Sequence, residues 1–217
     1  MGDTRIQVKV CGLTRQEDVH ICQDLGVDLL GFIFHPASPR CLNPEAVPLS
    51  IPGRARRVGV FVRHSLDQVR TIMDLAGLDL AQLHGKQDVD FCRRVGAERV
   101  IKVLWPQSYA HAQAMQEDLQ RFAPVCSMFL VDSGYQGGGH GATCRVSWLQ
   151  DLSFPRPWYL AGGLSPKTLP EMLQTLPLQG VDLNSGVEST SGIKDEGKIQ
   201  ACMQTIRTSN SIKGDFP

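Results

Sequence analysis

The sequence lacks an excess of charge of either sign. Lys plus Arg and Asp plus Glu number 22 each, so the formal net charge is zero. A nucleic-acid-binding protein is expected to carry a basic excess or a basic stripe. The short cluster Arg54, Arg56 and Arg57 is better interpreted as a solvated loop before an apolar strand. We therefore expect no nucleic-acid partner.

Long apolar runs are absent as well. No stretch reaches the ~18 apolar residues that a membrane helix needs, and Asp3 and Arg5 interrupt the N-terminus before any apolar signal core. The seven cysteines are an odd number and form no Cys-x-x-Cys pair, which is typical of free thiols in a reducing compartment. We therefore expect a soluble cytoplasmic protein without membrane contact.

Cofactor and metal signatures are missing too. No Gly-x-Gly-x-x-Gly follows a predicted strand. No His, Cys and Asp residues have the spacing of a metal site. The sequence predicts neither a cofactor nor a bound metal, and it gives no sign of an obligate protein partner.

Short β-rich runs recur along the chain with helical patterns between them. Most are nearly all apolar, as expected for strands buried on both faces of a sheet. The first helix has Thr14 and Glu17 at the spacing of a capping box. Eight such units without a composition break predict an α/β fold, a closed (β/α)₈ TIM barrel rather than an open sheet. The predicted strands are residues 5–11, 29–34, 57–62, 80–84, 99–105, 128–132, 158–162 and 180–184.

Two crossovers and the C-terminus depart from the regular pattern. The segment 35–56 is rich in Pro, Ser and Arg, so its helix must be short, and the segment after the sixth strand is Gly-rich. Residues 208–217 carry no hydrophobic periodicity, which predicts a frayed tail. We expect a single barrel domain over residues 1–207.

Active sites of such barrels gather where the strands end, and polar residues or glycines lie at those ends here. Because side chains alternate along a strand, Lys9 shares a face with Cys11, and Asp182 with Asn184. Strands one and eight are neighbours in a closed barrel, so we predict a buried ion pair between Lys9 and Asp182. The candidate site residues are Cys11, Arg40, His84, Asp132, Gly162, Gly163, Asp182, Asn184, Ser185 and Gly186.

A thiol and a carboxyl form a candidate acid–base pair. Without its context, Cys11 is interpreted as a small buried apolar residue. The nearby ammonium of Lys9, however, should favour the thiolate form of Cys11. Asp132 ends a buried apolar strand, where a carboxylate is costly unless it is solvated, paired or catalytic; a cap for the next loop is the alternative. Strands one and six lie on opposite sides of the ring, so a substrate between them would meet both groups.

The last two strands end in segments suited to an anion. Barrels often bind phosphate between these loops, and glycines let backbone N–H groups approach it. Gly162 and Gly163 follow strand seven, and Ser185 and Gly186 follow strand eight. Residues 137–141, Gly-Gly-Gly-His-Gly, read equally well as a third wall or a flexible loop.

Arg40 and His84 each have two interpretations on the sequence alone. Arg40 lies in a loop stiffened by Pro36 and Pro39, which suits a guanidinium that holds a carboxylate, although a solvated surface arginine is as well supported. His84 is either a substrate contact or a core histidine with its hydrogen bonds satisfied.

Several motifs run in order from residue 8 to residue 188: VKVCGLT, GFIF, SPR, VGVFV, AQLHG, LVDS, LAGGL and VDLNSGVE. Together they resemble the phosphoribosylanthranilate isomerase family of tryptophan biosynthesis. The start KVCGLT combined with QLHG and NSGVE is highly specific for that family. One segment departs from the family pattern, because residues 140–148 are longer than usual and lack an expected Asp.

The resemblance implies a cofactor- and metal-free Amadori rearrangement. It would convert N-(5-phosphoribosyl)anthranilate, a small phosphosugar, to 1-(2-carboxyphenylamino)-1-deoxyribulose 5-phosphate. Asp132 would be the general acid at the ribose ring oxygen and Cys11 the general base at C2′. Arg40 would hold the anthranilate carboxylate, with the phosphate at Gly162, Gly163, Ser185 and Gly186, and His84, Asp182 and Asn184 as further substrate contacts.

Three competing functions stay open on the sequence. A ribulose-phosphate epimerase would want metal ligands at the strand ends, and a histidine-pathway isomerase would want Asp in place of Cys11. A non-catalytic barrel that binds phosphate or contacts a subunit is the alternative from another class.

Overall fold

Eight parallel strands close into one barrel. A computed structural model describes residues 5–134 and 147–214. Each strand is hydrogen-bonded to the next, and the eighth pairs with the first. The predicted barrel is thus confirmed, with every strand within one or two residues of its expected bounds. The strands are β1 Gln7–Val10, β2 Leu29–Ile33, β3 Arg56–Phe61, β4 Leu80–Leu83, β5 Val100–Leu104, β6 Met128–Asp132, β7 Trp158–Ala161 and β8 Gly180–Leu183.

Helices follow most of the strands. In the described ranges, the connection after β2 holds only the 3₁₀ turn Pro44–Ala46, and that after β6 the 3₁₀ turn Ser147–Asp151. No helix in these ranges has the length and apolar character of a membrane span. The helices are α1 Gln16–Asp24, α2 Leu66–Leu75, α3 Val89–Val95, α4 Ala112–Phe122, α5 Leu169–Thr175 and α6 Glu196–Gly214.

Alternation along the strands separates two cores. Outward side chains pack against the helices in a large apolar cluster, while inward ones such as Leu29, Ile101 and Leu130 fill the barrel. The inward positions nearer the strand ends are polar: Lys9, Gln82 and Asp182 are almost fully buried. The barrel interior therefore changes from an apolar filling to a charged layer just below the mouth.

The first helix begins differently from the prediction. Its N-cap is Arg15, which makes no capping hydrogen bond from its side chain, so the expected capping box of Thr14 and Glu17 is wrong. The Thr14 hydroxyl instead donates to the carbonyl of Gly192 at 2.7 Å. The Thr14 hydroxyl therefore bonds to a distant loop, although the local sequence pattern predicted that it would cap the helix.

The C-terminal segment is also corrected. Helix α6 continues to Gly214, so residues 208–214 are helical where a tail without structure was expected. Polar contacts hold the added turns: Asn210 Oδ1 accepts from the backbone N–H of Ile6 at 2.9 Å, and Arg207 donates to the carbonyl of Leu25. Hydrophobic periodicity cannot reveal a helix end that is held by hydrogen bonds.

Candidate active site

The predicted ion pair joins the first and last strands. Lys9 and Asp182 face each other in the ladder between β1 and β8, and Lys9 Nζ donates to Asp182 Oδ1 at 2.9 Å and to Oδ2 at 2.8 Å. Burial disfavours the ammonium, but Asp182 and the nearby Cys11 more than offset this, so the pKa of Lys9 is raised. The prediction is confirmed, and both carboxylate oxygens of Asp182 are occupied by Lys9.

Cys11 follows β1 and lies beside this pair. Its backbone N–H donates to the carbonyl of Leu183 at 2.8 Å, and its side chain is buried. Burial raises the pKa of the thiol, and the Lys9 ammonium offsets only part of that effect. Lys9 therefore favours the thiolate, as expected, but the resting group is a thiol.

Asp132 ends β6 at the same mouth. Its Oδ1 accepts the backbone N–H of Gly134 at 2.9 Å, and its side chain is 21% exposed. Burial raises the pKa of the carboxyl, against the lowering effects of the Gly134 N–H and Lys9. A carboxyl with a raised pKa retains a proton to higher pH, which is what a general acid requires.

His84 lies beside Asp132, with its side chain partly exposed. Its Nε2 is 3.5 Å from Asp132 Oδ2, its ring meets Trp105 edge-on, and Nδ1 is 3.3 Å from Gln82 Nε2. The Gln82 amide and Nδ1 are thus within hydrogen-bonding distance, and Nε2 faces Asp132. Burial lowers the pKa of His84 to about 4, which keeps the imidazole neutral.

Arg40 lies next to the residues that follow β1 and β8, and its guanidinium is paired with Glu188. Its Nε donates to Glu188 Oε1 at 2.7 Å and its Nη2 to Oε2 at 2.5 Å. The arginine lies over Gly12, where a Cβ atom would stand 2.5 Å from Arg40 Cδ and 2.8 Å from Asn184 Oδ1. With a φ of +72° and no space for a side chain, this position requires glycine.

Sequence reasoning missed Glu188 and Lys194. The short antiparallel strands β9 Glu188–Thr190 and β10 Ile193–Lys194 place the two opposite each other. Lys194 Nζ donates to Glu188 Oε1 at 2.9 Å and to Asn184 Oδ1 at 3.1 Å. Asn184 is thus also engaged by the protein itself. The turn at Gly192 between two short polar strands was the signal that could have revealed this pair.

The loops after β7 and β8 meet each other. A Cβ atom at Gly186 would lie 2.0 Å from the Leu164 carbonyl oxygen, and one at Gly162 would lie 2.3 Å from the backbone N of Gly134. Glycine at position 186 lets the loops after β7 and β8 come together, and glycine at position 162 lets the loop after β7 approach the segment after β6. Gly163 and Ser185 are exposed there.

A buried lysine supports the loop that carries His84. Lys102 on β5 points outward, donates to the carbonyl of Gln87 at 2.8 Å and lies over the ring of Phe122. It lines a groove of about 600 Å³ between α3 and α4. This groove lies outside the barrel, so the site is defined by its convergent side chains and not by this cavity.

The glycine-rich residues 137–141 and the departure at 140–148 lie outside the described residues, apart from the turn that begins at Ser147. Within residues 5–134 and 147–214, no three His, Cys, Asp or Glu side chains are arranged to hold a metal ion.

The arrangement agrees with comparisons to known proteins. The family model for N-(5'-phosphoribosyl)anthranilate isomerase matches residues 8–205. The N-(5'-phosphoribosyl)anthranilate isomerase of Maridesulfovibrio salexigens is 49% identical over 199 residues, covering 92% of this chain and 97% of that protein.

Solved structures give the same result. The crystal structure of phosphoribosyl anthranilate isomerase from Thermotoga maritima superposes with a TM-score of 0.83 and 30% identity, covering 94% of this chain and 99% of that one. A second isomerase structure contains reduced 1-(o-carboxyphenylamino)-1-deoxyribulose 5-phosphate; it matches with a TM-score of 0.77 and 28% identity, covering 94% of this chain and 99% of that one.

Proposed function

The chain belongs to the N-(5'-phosphoribosyl)anthranilate isomerase family, and on that premise we propose that Asp132 and Cys11 are its acid and base. The enzyme isomerises N-(5'-phosphoribosyl)anthranilate to 1-(2-carboxyphenylamino)-1-deoxyribulose 5-phosphate in tryptophan biosynthesis. The observation that carries the assignment is the placement of the two groups: Cys11 follows β1 and Asp132 ends β6, on opposite sides of one closed barrel. The buried ammonium of Lys9, beside Cys11, favours the thiolate form of the base.

The first step opens the ribose ring. Asp132 gives its proton to the ring oxygen, the bond from that oxygen to C1′ breaks, and the nitrogen lone pair forms a C=N bond. The raised pKa of Asp132 supports this role, because the proton is held ready without making the acid too weak. The Nε2–H of His84 faces the carboxylate that remains and stabilises it.

The second step transfers a proton from carbon. Cys11 as thiolate removes the proton from C2′. The C2′–H electron pair forms the C1′–C2′ double bond while the C=N π electrons return to nitrogen, and the resulting enolamine tautomerises to the ketone. Burial makes the thiolate a minor form but a stronger base, and Lys9 limits the cost of forming it. No external acceptor or donor of electrons is needed, since substrate and product are isomers.

Binding groups surround the reacting carbons in this proposal. Arg40 holds the anthranilate carboxylate, while backbone N–H groups and a hydroxyl hold the phosphate. Asp182 and Asn184 contact the substrate through the atoms that Lys9 and Lys194 orient, and His84 contacts it beside Asp132. The phosphate-binding residues are Gly162, Gly163, Ser185 and Gly186.

We extend the proposal to the cellular setting. The enzyme works in the cytoplasm, without cofactor, metal, nucleic acid, membrane or obligate protein partner, as one barrel domain that includes the whole of α6. The free thiols among the described residues support a reducing compartment.

Turnover tests the function directly. Purified protein is mixed with N-(5'-phosphoribosyl)anthranilate, and the loss of substrate fluorescence is followed with and without a chelator. We expect the same rate in both and formation of the ketone product by chromatography. A folded protein that binds phosphate ligands but shows no turnover would instead support the non-catalytic barrel.

A further inference from the structure

Arg40 is held from one side only. It donates to Glu188 through Nε and Nη2, and among the described residues nothing accepts from Nη1. A guanidinium fixed along one edge presents its remaining edge in a defined direction, and its planar fork matches a carboxylate. The Arg40 side chain is 16% exposed, whereas that of Glu188 is 5% exposed. The free edge is therefore the one that solvent and ligands reach.

Glu188 is itself fixed by a second cation. Its Oε1 accepts from Lys194 Nζ at 2.9 Å and from the backbone N–H of Gly192 at 3.2 Å. The Lys194 side chain has no exposure to solvent, and its other contacts go to Asn184. A fully buried ammonium is costly unless it is paired, so its place beside a carboxylate that already has an arginine partner needs an explanation.

The charge balance among Arg40, Glu188 and Lys194, a set here called the triad, explains why this ammonium is buried beside Glu188. Arg40 and Lys194 contribute two positive charges and Glu188 one negative charge, so the cluster is positive by one unit. A pair of Arg40 and Glu188 alone would be neutral and would attract a carboxylate weakly. Lys194 leaves Arg40 with an uncompensated charge while Glu188 keeps its orientation.

We propose that Glu188 and Lys194 are positioning residues that make Arg40 selective for a carboxylate on the substrate's aromatic ring. Glu188 fixes the direction of the guanidinium, and Lys194 balances the charge of Glu188. The inference rests on the proposed function, in which Arg40 holds the anthranilate carboxylate.

Two probes separate this role from a general structural one. The first is the reduced product, 1-(2-carboxyphenylamino)-1-deoxyribitol 5-phosphate, and the second is the same compound without the ring carboxylate. Their affinities are measured by titration calorimetry on the wild type, Glu188→Gln and Lys194→Met. Asp24→Asn is the matched control, because Asp24 also pairs with an arginine, Arg54 at 3.2 Å, but on the exposed end of α1.

We expect the wild type and Asp24→Asn to prefer the carboxylated probe by about 10- to 100-fold, the range of a charge-assisted contact. Lys194→Met should lose most of that preference because the cluster becomes neutral. Glu188→Gln should lose most of it because the guanidinium loses its fixed direction, although the cluster gains one positive charge; a stronger preference in this variant would contradict the positioning role. The affinity for the carboxylate-free probe should be nearly unchanged in both. Glu188→Gln keeps size and shape, so it gives the result even if Lys194→Met fails to fold.

Two further results overturn the proposal. Either variant weakening both probes equally would show that the triad only supports the fold, and a preference retained by both variants would show that Arg40 needs no help. A wild type without preference would place the error earlier, in the assignment of Arg40. The turnover assay reports the overall function independently of all these outcomes.

Discussion

Gly31 leaves the space that Cys11 occupies. A Cβ atom on Gly31 would stand 2.9 Å from both the Cα and the Sγ of Cys11 and 3.0 Å from Lys9 Nζ. Two of these contacts involve the site's thiol and ammonium, and the third is with backbone that cannot move aside. The catalytic strand and its neighbour thus fit together only because β2 has no side chain at this point.

We predict that Gly31→Ala lowers both stability and kcat. Overpacking costs about 1–3 kcal/mol, and the displaced thiol loses its alignment with C2′. Gly59→Ala is the control: its Cβ atom would meet Leu78 Cδ1 at 2.5 Å, away from the site. Denaturant unfolding should show a loss in both variants and steady-state kinetics a loss of kcat only in Gly31→Ala. Equal kcat values would contradict the packing argument.

Asp132→Asn should lower kcat by about 10²- to 10⁴-fold with little change in KM, because only a proton transfer in the transition state is lost. Asp90→Asn, which removes an exposed carboxylate paired with Arg93, should leave both constants unchanged. Near-normal turnover by Asp132→Asn would assign the acid to another group.

Cys11→Ser should also lower kcat strongly, since an alcohol is a far poorer base than a thiol near neutral pH. The control is Cys92→Ser, at a buried cysteine on α3. That variant loses stability and keeps its kcat when assayed well below its melting temperature. If Cys11→Ser kept wild-type turnover, the role of base would be wrong.

The pair of Lys9 and Asp182 should show strong coupling in stability. Lys9→Met leaves a buried carboxylate without its partner and should cost about 3–5 kcal/mol of unfolding free energy. Lys9→Met combined with Asp182→Leu should recover most of this loss, because no charge then remains buried. Urea unfolding of both single variants and the double variant measures the coupling, and additive losses would contradict it.

His84 should make the native state less stable in acid. Its pKa falls from 6.5 in the unfolded chain to about 4 in the fold, so between these values the unfolded state binds a proton that the native state does not. Its contribution is therefore constant above pH 6.5 and declines as the pH falls toward 4. The unfolding free energies of the wild type and His84→Gln should converge or cross in this window; parallel curves would refute the assignment.

Much of this architecture was predictable because it follows from the periodicity of side chains along each strand and from the closure of the sheet into a barrel. Buried parallel strands are continuous apolar runs, so the bounds of β2, β4 and β6 follow from the sequence. The pairing of Lys9 with Asp182 needed only strand alternation and the neighbourhood of β1 and β8. Each inference used a rule that holds regardless of the surrounding side chains.

What could not be predicted depends on burial and on distant partners. The sequence shows that Lys9 is near Cys11, but the net pKa of the thiol depends on how much water is excluded, which only packing sets. Glu188 meets Arg40 across 148 positions of chain, a distance that no local pattern spans. Thr14 failed as a cap for the same reason.

The seam between β1 and β8 bears on how the protein is synthesised. Lys9 and Asp182 are separated by 173 positions, so the ribosome makes the lysine long before its counter-ion. Until β8 emerges, a nascent barrel would have to hold an uncompensated ammonium in its interior, which is unfavourable. Closure of the barrel is therefore unfavourable until β8 has been synthesised and can pair with β1.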